Sequence, residues 1–474
     1  MLTKLPHPAS RLRLTVTGVV TTVVMVLGFL GCNTRPAAKA AVGDDGRPNI
    51  LIIVTDDQRM GTMSVMPQTR RLFERGGVSF TNAFATTPLC CPSRSSIMTG
   101  RYAHNHGVVG NGMGDLLNQD ITIQRYIHSA GYKTGVAGKF LNGWQRELDP
   151  PHFDKWAVMF HPRKKDPVYH HSEGYYNGLY NVNGELNTIH RYSTDQIVNH
   201  GLSFLEDFEK NDDQPWYLYV APFGPHKPYT AEPAYSDRAV PQWNRPPSLR
   251  EQRVNDKPSW VYNHSYPVES AEALRRAQMR TLMSIDDLVS KFFARMDALG
   301  ETRDTLAIFL SDNGYMWGEH GLKRKQHPYT ESVQVPFFLR WPGKVAPGSQ
   351  DDRIAATIDI APTILEAAGM APNATMDGSS LLGPVSREVL LIEYWHEPKD
   401  KPTDWASLRS DTFQYIEYYN DHGRIVFREY YDLVSDPFQM DNTLRDGKKR
   451  NDPRVDALST TLANLKTCSG RTCP

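Results

Sequence analysis

This chain lacks any excess of charge. Lys and Arg together number 53, Asp and Glu also number 53, and the formal net charge is +0 over 474 residues. That balance excludes bulk electrostatic attraction to nucleic acid, so an anionic ligand must be met by local cations. Cysteine is scarce, with five residues, so a packed core rather than a disulfide network must hold the fold. No internal repeat is present, which excludes a solenoid. The one long apolar run covers residues 14–30. Apolar residues at 40% and charged residues at 22% describe a globular protein, neither disordered nor built of membrane spans. The length suffices for one large α/β domain and a smaller one.

The apolar run follows Lys4, Arg11 and Arg13 and closes on Gly31-Cys32, a basic segment followed by an apolar one, as in an export signal. Phe29-Leu30-Gly31-Cys32 resembles a bacterial lipobox, in which the cysteine is lipidated. Phe29 stands where leucine is usual, so secretion without lipid and an uncleaved anchor remain alternatives. Residues 1–31 are read as signal peptide and 32–47 as tether. The other expected covalent link joins Cys468 to Cys473 in an exported protein. Only four residues lie between them, so little chain entropy is removed and the gain is modest.

Four short apolar runs end directly in polar, potentially reactive residues. Residues 49–54 lead into Asp56 and Asp57, and residues 306–310 into Asp312 and Asn313. Residues 216–220 lead toward His226, and residues 134–138 into Lys139. Such runs suit strands buried on both faces of a parallel sheet, and ligands of open α/β sheets bind beyond the carboxyl ends of the strands. Between them lie helical stripes. Val198, Leu202, Leu205 and Phe208 follow a Ser193-Thr194-Asp195 capping region, and a longer stripe from Leu282 to Leu299 stops at Gly300. Asn183-Gly184 marks a hairpin turn, and Asp359-Ile360-Ala361-Pro362 a helix start. Strands are expected at 387–392, 413–419 and 425–433, with a last helix at 455–465. The division is a catalytic domain over 48–385 and an α+β domain over 386–474.

Asp56, Asp57, Asp312 and Asn313 offer three carboxylates and an amide oxygen at two strand ends. That set suits a hard cation, calcium ahead of magnesium, better than a transition metal. Taken as separate pairs, they suit turns and helix caps better than a metal site. Cys90-Cys91-Pro92-Ser93-Arg94, with Thr99-Gly100 beyond, read alone, is either a buried or redox-active cysteine pair or a modified nucleophile. The stretch resembles the signature of the type I, formylglycine-dependent sulfatases of the alkaline phosphatase superfamily. Tyr102-Ala103-His104-Asn105-His106, Gly138-Lys139-Phe140-Leu141-Asn142 and Ser311-Asp312-Asn313-Gly314-Tyr315 are similar to N-acetylglucosamine-6-sulfatases and other glycosaminoglycan sulfatases. The likeness runs from residue 49 to about 437.

The resemblance implies an alkaline-phosphatase-like, mostly parallel central sheet covered by helices, with a smaller C-terminal α+β domain. It implies that a maturation enzyme oxidises Cys90 to formylglycine, while Cys91 stays unmodified. The hydrate of that aldehyde attacks sulfur with one oxygen, and its second hydroxyl expels sulfate. Asp56, Asp57, Asp312, Asn313 and residue 90 would bind calcium, with magnesium as the other candidate. Arg94 would hold the hydrate, Lys139 and Lys325 the sulfate, and His226 the leaving oxygen. The implied substrate is a sulfated carbohydrate or an aryl sulfate, with no nucleic acid partner and membrane contact only through the lipid.

Leu141 departs from arylsulfatases, many of which carry a second histidine there. Thr330 and Gln334 also depart from the usual residues, which leaves substrate identity open. A phosphodiesterase or phosphonate monoester hydrolase using the same aldehyde is one alternative, and a silent glycan-binding lipoprotein with an unconverted Cys90 is another. The segment 161–180, with Arg163, Lys164, Lys165, His170 and His171, is either a wall of the sugar pocket or a solvated loop. Cys32→Ser is expected to move the protein from the membrane fraction to the soluble fraction on cell fractionation. An unchanged distribution would contradict lipidation.

Overall fold

The computed structural model describes residues 46–160, 174–210, 212–252, 254–262, 264–384, 387–396 and 403–474. The expected signal segment, Cys32, most of the tether and the basic stretch 161–173 lie outside the described residues. Among the described residues, no helix is long and apolar enough to cross a membrane.

Among the described residues sixteen strands follow in chain order: β1 (Asn49–Thr55), β2 (Val78–Phe84), β3 (Lys133–Lys139), β4 (Lys155–Phe160), β5 (Gly178–Val182), β6 (Glu185–Ile189), β7 (Trp216–Ala221) and β8 (Thr305–Ser311). Then come β9 (Met316–Trp317), β10 (Lys323–Arg324), β11 (Phe337–Arg340), β12 (Ser349–Ala356), β13 (Leu390–Tyr394), β14 (Trp405–Arg409), β15 (Phe413–Tyr419) and β16 (Ile425–Asp432). Ten of them form one sheet in the order β12-β2-β11-β8-β1-β7-β3-β4-β5-β6. Only β11 and β5 run against the rest. The sheet is therefore mostly parallel, and β8, β1, β7 and β3 are consecutive and parallel at its centre.

The apolar runs are continuous because each of these strands is covered on both sides. Ile50, Ile52 and Val54 of β1 enter one core layer with Ile97, Ile123 and Ile364. Leu51 and Ile53 enter the opposite layer with Leu205, Leu282, Ile285 and Phe292. Each such fully buried side chain contributes roughly 1.5–3 kcal/mol of transfer free energy, which makes the order of the central strands hard to change. The second layer rests on helices Ser193–Phe208 and Val268–Leu299. The longer helix begins well before the stripe at 282 and ends at Gly300, with φ of +93°. Its first turns have only a narrow buried stripe, including Ala271, Leu274 and Gln278, which masks the period. Ser193 is not a cap. It is the first helical residue, makes no side-chain capping bond, and gives its backbone N–H to the Tyr175 carbonyl at 2.7 Å.

β13 to β16 form a separate antiparallel sheet in sequence order. β13 begins at Leu390 rather than 387, because Arg387 leaves the ladder to fork onto Asp359, with one contact at 2.9 Å. β14 went unanticipated, since its run of five residues sits beside a charged, proline-containing stretch. This sheet shares its apolar cluster with Phe84, Leu89 and Tyr102 of the larger body. Helix Val455–Leu465 follows, and Cys468 is disulfide-bonded to Cys473.

The C-terminal segment is pinned by His104 and Asn105. His104 Nε2 donates to the Cys468 carbonyl at 2.9 Å, and Nδ1 lies 3.0 Å from both Glu393 oxygens. Asn105 Nδ2 also donates to the Cys468 carbonyl, at 2.8 Å. Burial lowers the His104 pKa, but the hydrogen bond and charge of Glu393 outweigh it, and the net shift is upward. A raised histidine stabilises fully below its unfolded value, about 6.5, and that stabilisation is lost as pH rises through the folded value. Thermal unfolding of wild type and His104→Gln should therefore differ most below about pH 6 and converge at alkaline pH. A gap that widens with pH would contradict the assignment.

Candidate active site

The central strands deliver charge to one edge. β1 ends in Asp56 and Asp57, β8 in Asp312 and Asn313, β3 in Lys139, and the loop after β7 carries His226. Opposite them, helix Cys90–Thr99 starts at Cys90 itself, so Arg94 follows one helical turn later on the same side. Gly100 closes this helix at φ of +68°, a conformation glycine adopts at no steric cost, and this accounts for Thr-Gly in the motif. Gly138 has φ of +110°, and an added Cβ there would lie 2.1 Å from the Ala221 carbonyl oxygen. Only glycine lets β3 bring Lys139 against β7 at this point.

The six charged groups are buried and interlocked. Lys139 Nζ lies 2.5 Å from Asp56 Oδ2, and Lys325 Nζ is ion-paired with Asp57 and 2.6 Å from Cys90 Sγ. Arg94 Nε donates to Asp312 Oδ2 at 2.8 Å, and its Nη1 donates to the Lys139 carbonyl at 2.9 Å. Ser93 Oγ donates to the Asp312 carbonyl, and Asn313 Nδ2 donates to Asp57 Oδ1 at 2.8 Å. Cys90 Sγ is 3.3 Å from Asp56 Oδ1. Three carboxylates thus meet three cations at formal neutrality. Asp57, Arg324 and Gln326 all adopt left-handed φ, at +69°, +77° and +81°. Non-glycine residues in that region concentrate where surrounding structure over-determines them, and here they adjoin Asp56 and Lys325.

Burial and the neighbouring Asp56 carboxylate push the Cys90 thiol up to about 12, against the pull of Lys139 and Lys325. An unmodified Cys90 is therefore a neutral thiol and a poor nucleophile. Burial would raise Asp56 as well, but Lys139, His226, Arg94 and Lys325 together hold it well below the usual range. Burial lowers His226 to about 3, with Lys139 and Lys325 adding to the effect and Asp56 opposing it. His226 Nδ1 lies 2.8 Å from the Lys227 carbonyl, which can only accept, so Nδ1 carries the proton. Nε2 is 4.0 Å from Asp57.

Every expected catalytic and ligand residue from Asp56 to Lys325 lies at this edge. Asp56, Asp57, Cys90 and Asp312 offer ligand atoms within 4.8 Å of one another. Asn313 Oδ1 is buried without a hydrogen-bond partner, a costly state for an amide oxygen that a cation would relieve. The oxygen donors of Asp56, Asp57, Asp312 and Asn313 fit calcium or magnesium.

A cavity of about 230 Å³ opens above the cluster, lined by Asp57, His226 and Lys325 and by residues that the sequence did not single out. Of these, Lys227, Arg324 and Gln326 adjoin singled-out residues, Tyr315 lay in a quoted motif, and Asn111, between two glycines, gave no signal. Asn111 Oδ1 accepts the Cys91 N–H at 3.0 Å, and Cys91 Sγ contacts the Asn142 carbonyl at 3.2 Å. Leu141 belongs to the apolar core. Thr330 and Gln334 hydrogen-bond Gln439 and the Thr81 carbonyl.

The family model described as Sulfatase matches residues 48–370. The chain belongs to the sulfatase family. That family comprises sulfuric ester hydrolases, and a second model, N-sulphoglucosamine sulphohydrolase, C-terminal, matches residues 318–467. Human N-acetylglucosamine-6-sulfatase is 30% identical over 90% of this chain and 86% of its own length. A putative extracellular sulfatase Sulf-1 homolog of Caenorhabditis elegans is 32% identical over 75% of this chain, which spans 54% of that relative. The Drosophila melanogaster SULF-1 homolog is likewise 32% identical, and only 31% of it is spanned. A putative sulfatase from Bacteroides fragilis superposes with a TM-score of 0.74 at 19% identity, covering 92% of this chain and 99% of that one. A structure solved with its substrate D-glucosamine-2-N,6-O-disulfate gives 0.71 at 23% identity, over 88% and 97%. These likenesses give this sulfatase an alkaline-phosphatase-like fold.

Asp312→Asn keeps an acceptor for Arg94 while removing one negative charge from the donor set. Metal analysis should show calcium bound by wild type and lost from the variant. Calcium at a hundredfold over Kd should raise wild-type stability by about 2.7 kcal/mol and leave the variant unmoved. Equal metal content in both proteins would place the cation elsewhere.

Proposed function

We propose that this sulfatase releases sulfate from a sulfated carbohydrate, using a nucleophile made from Cys90 and one calcium ion. The observation that carries the reading is the buried set of Asp56, Asp57, Asp312 and the unpartnered Asn313 Oδ1 around Cys90. Bound there, a divalent cation supplies charge that draws electrons from sulfuryl oxygens and favours ionised oxygen nucleophiles. Conversion of Cys90 to formylglycine supplies a hydrate with two hydroxyls, where a thiol has no second hydroxyl with which to expel sulfate. This requires a maturation enzyme in the producing cell, and the N-terminal pattern suits an exported lipoprotein.

The chain's own residues then divide the work. With three carboxylates offset by Arg94, Lys139 and Lys325, a divalent cation leaves the site net positive and suited to an anionic ester. Lys139 and Lys325 become free to meet sulfuryl oxygens once the cation takes over their carboxylates, an arrangement that stabilises the charge of the transition state. Arg94 Nη2, buried and not used on Asp312 or the Lys139 carbonyl, offers a donor to a hydroxyl on residue 90. His226 presents Nε2 toward the leaving oxygen. An arriving negative charge between the two lysines favours its protonated form, from which it can donate. The cavity is sized for one sugar ring. Relatives named for N-acetylglucosamine-6-sulfate and a structural neighbour holding a disulfated glucosamine favour a sulfated glucosamine.

Peptide mass spectrometry of residue 90 should show the aldehyde or its hydrate, with Cys91 an intact thiol. A fully active protein with Cys90 unmodified would overturn the reading. Aryl sulfate should be turned over faster than the matched aryl phosphodiester, and the reverse order would favour a phosphodiesterase. Across a leaving-group series, His226→Ala should lose on the order of a hundredfold on sugar sulfates and far less on activated aryl sulfates. A uniform loss would assign His226 to sulfate binding instead.

A further inference from the structure

A cavity of about 730 Å³ lies apart from the catalytic pocket, with none of its lining residues in common. Its walls include Trp243, Arg245, Arg250, Glu272 and Arg276. Glu272 is already engaged by Arg275 at 3.1 Å and Arg276 at 3.2 Å. Arg245 and Arg250 are exposed, and among the described residues no carboxylate pairs with either. In a chain of zero net charge, this concentration of unneutralised guanidinium is local and specific. Two contacts brace its wall: the buried Arg275 donates to the Pro241 carbonyl at 2.6 Å and lies 5.7 Å from the centre of the Trp243 ring.

The groove is joined to the catalytic pocket by one aromatic cluster. Trp243 packs edge-on against Trp317 at 5.5 Å. Trp317 shares a cluster with Leu274 and Tyr315, against which Tyr229, Trp243 and Tyr266 pack. Tyr315 lines the catalytic pocket, and its hydroxyl is 2.6 Å from that of Tyr229. Tyr266 lines a third cavity of about 450 Å³, which shares Arg324, Lys325 and Gln326 with the catalytic pocket. Lys227 and Arg324 line the catalytic pocket and Lys323 the third cavity, while Arg245, Arg250 and Arg276 line the groove. The catalytic pocket itself has room for one sugar.

We propose that the Trp243–Arg245–Arg250 groove holds the unreacting part of a sulfated polysaccharide whose terminal sugar occupies the catalytic pocket. This rests on reading the chain as a hydrolase of sulfated carbohydrate. Guanidinium forks match sulfate oxygens in pairs, and the half-buried Trp243 offers an apolar face to a sugar ring. A remote anchor of this kind raises affinity for a polymer without touching the reacting bond.

The test uses the mature, calcium-loaded protein and the double variant Arg245→Ser/Arg250→Ser, with heparin as the probe polysaccharide. The variant should bind heparin about tenfold more weakly at 0.15 M salt, with a smaller salt dependence. Its KM for sulfate release from a sulfated polysaccharide should rise by a similar factor with kcat unchanged. Turnover of an aryl sulfate should stay within about twofold of wild type. Unchanged heparin affinity, or an equal loss on the aryl sulfate, would overturn the proposal. Arg245→Lys/Arg250→Lys keeps the charge but not the fork, and should fall between the two. Heparin binding by a wild type that turns over no sulfate ester would sink the hydrolase reading and leave the groove. Sulfate ester turnover with heparin affinity unmoved by either variant would sink the groove alone.

Discussion

Six ionised side chains share one buried patch at the carboxyl edge of the central sheet, and burial on that scale is tolerable only under strict pairing. Removing one member leaves its partner as an uncompensated charge, at a cost of roughly 3–5 kcal/mol. Asp56 with Lys139, Asp57 with Lys325 and Asp312 with Arg94 are thus coupled demands on backbone placed by separate elements. They explain why β8, β1 and β3 must end level with one another, why helix Cys90–Thr99 must begin at Cys90, and why Gly138 cannot carry a side chain. They also make the site responsive to an added cation, since each carboxylate that turns to a metal releases a basic group for an anion.

The rest of the molecule holds that patch still. The two core layers clamp the parallel strands from both sides, so the strand ends have little freedom to shift. The antiparallel sheet β13–β16 closes one flank and shares an apolar cluster with the residues just before and after the helix that carries Cys90. His104, Asn105 and Arg387 fasten it with buried polar contacts. Tyr102 to His106, quoted in the sequence beside the nucleophile motif, therefore serve to hold the C-terminal segment, and His106 also lies 3.1 Å from Ser96 within the same region. Proximity in sequence to Cys90 here reflects shared support.

The surface reads as one basic and aromatic field around a small pocket. Lys227 and Arg324 line the pocket, and the cluster of Tyr229, Tyr315 and Trp317 connects it to Trp243 of the arginine groove. A neutral protein can thus present strong local positive potential where its substrate must lie, without attracting polyanions over its whole surface.

Much of this was legible in the amino-acid order because the relevant signals are local. A strand buried on both faces is a continuous apolar run, so β1, β7 and β8 announce themselves. A polar residue where such a run stops marks the sheet edge. Helix stops at Gly300 and the Asn183-Gly184 turn depend on backbone preferences of single residues. The edge strand β12 is half-exposed and short on periodicity, and β14 is a run of five residues, so they left no comparable mark. Only tertiary structure decided that β8, β1, β7 and β3 are neighbours, since strand order depends on which faces can be covered at once. It also decided which side chains line the pocket. Asn111 and Tyr315 come from loops and Arg324 from the two-residue β10, and their relation to Cys90 follows from the packing of elements far apart in the chain.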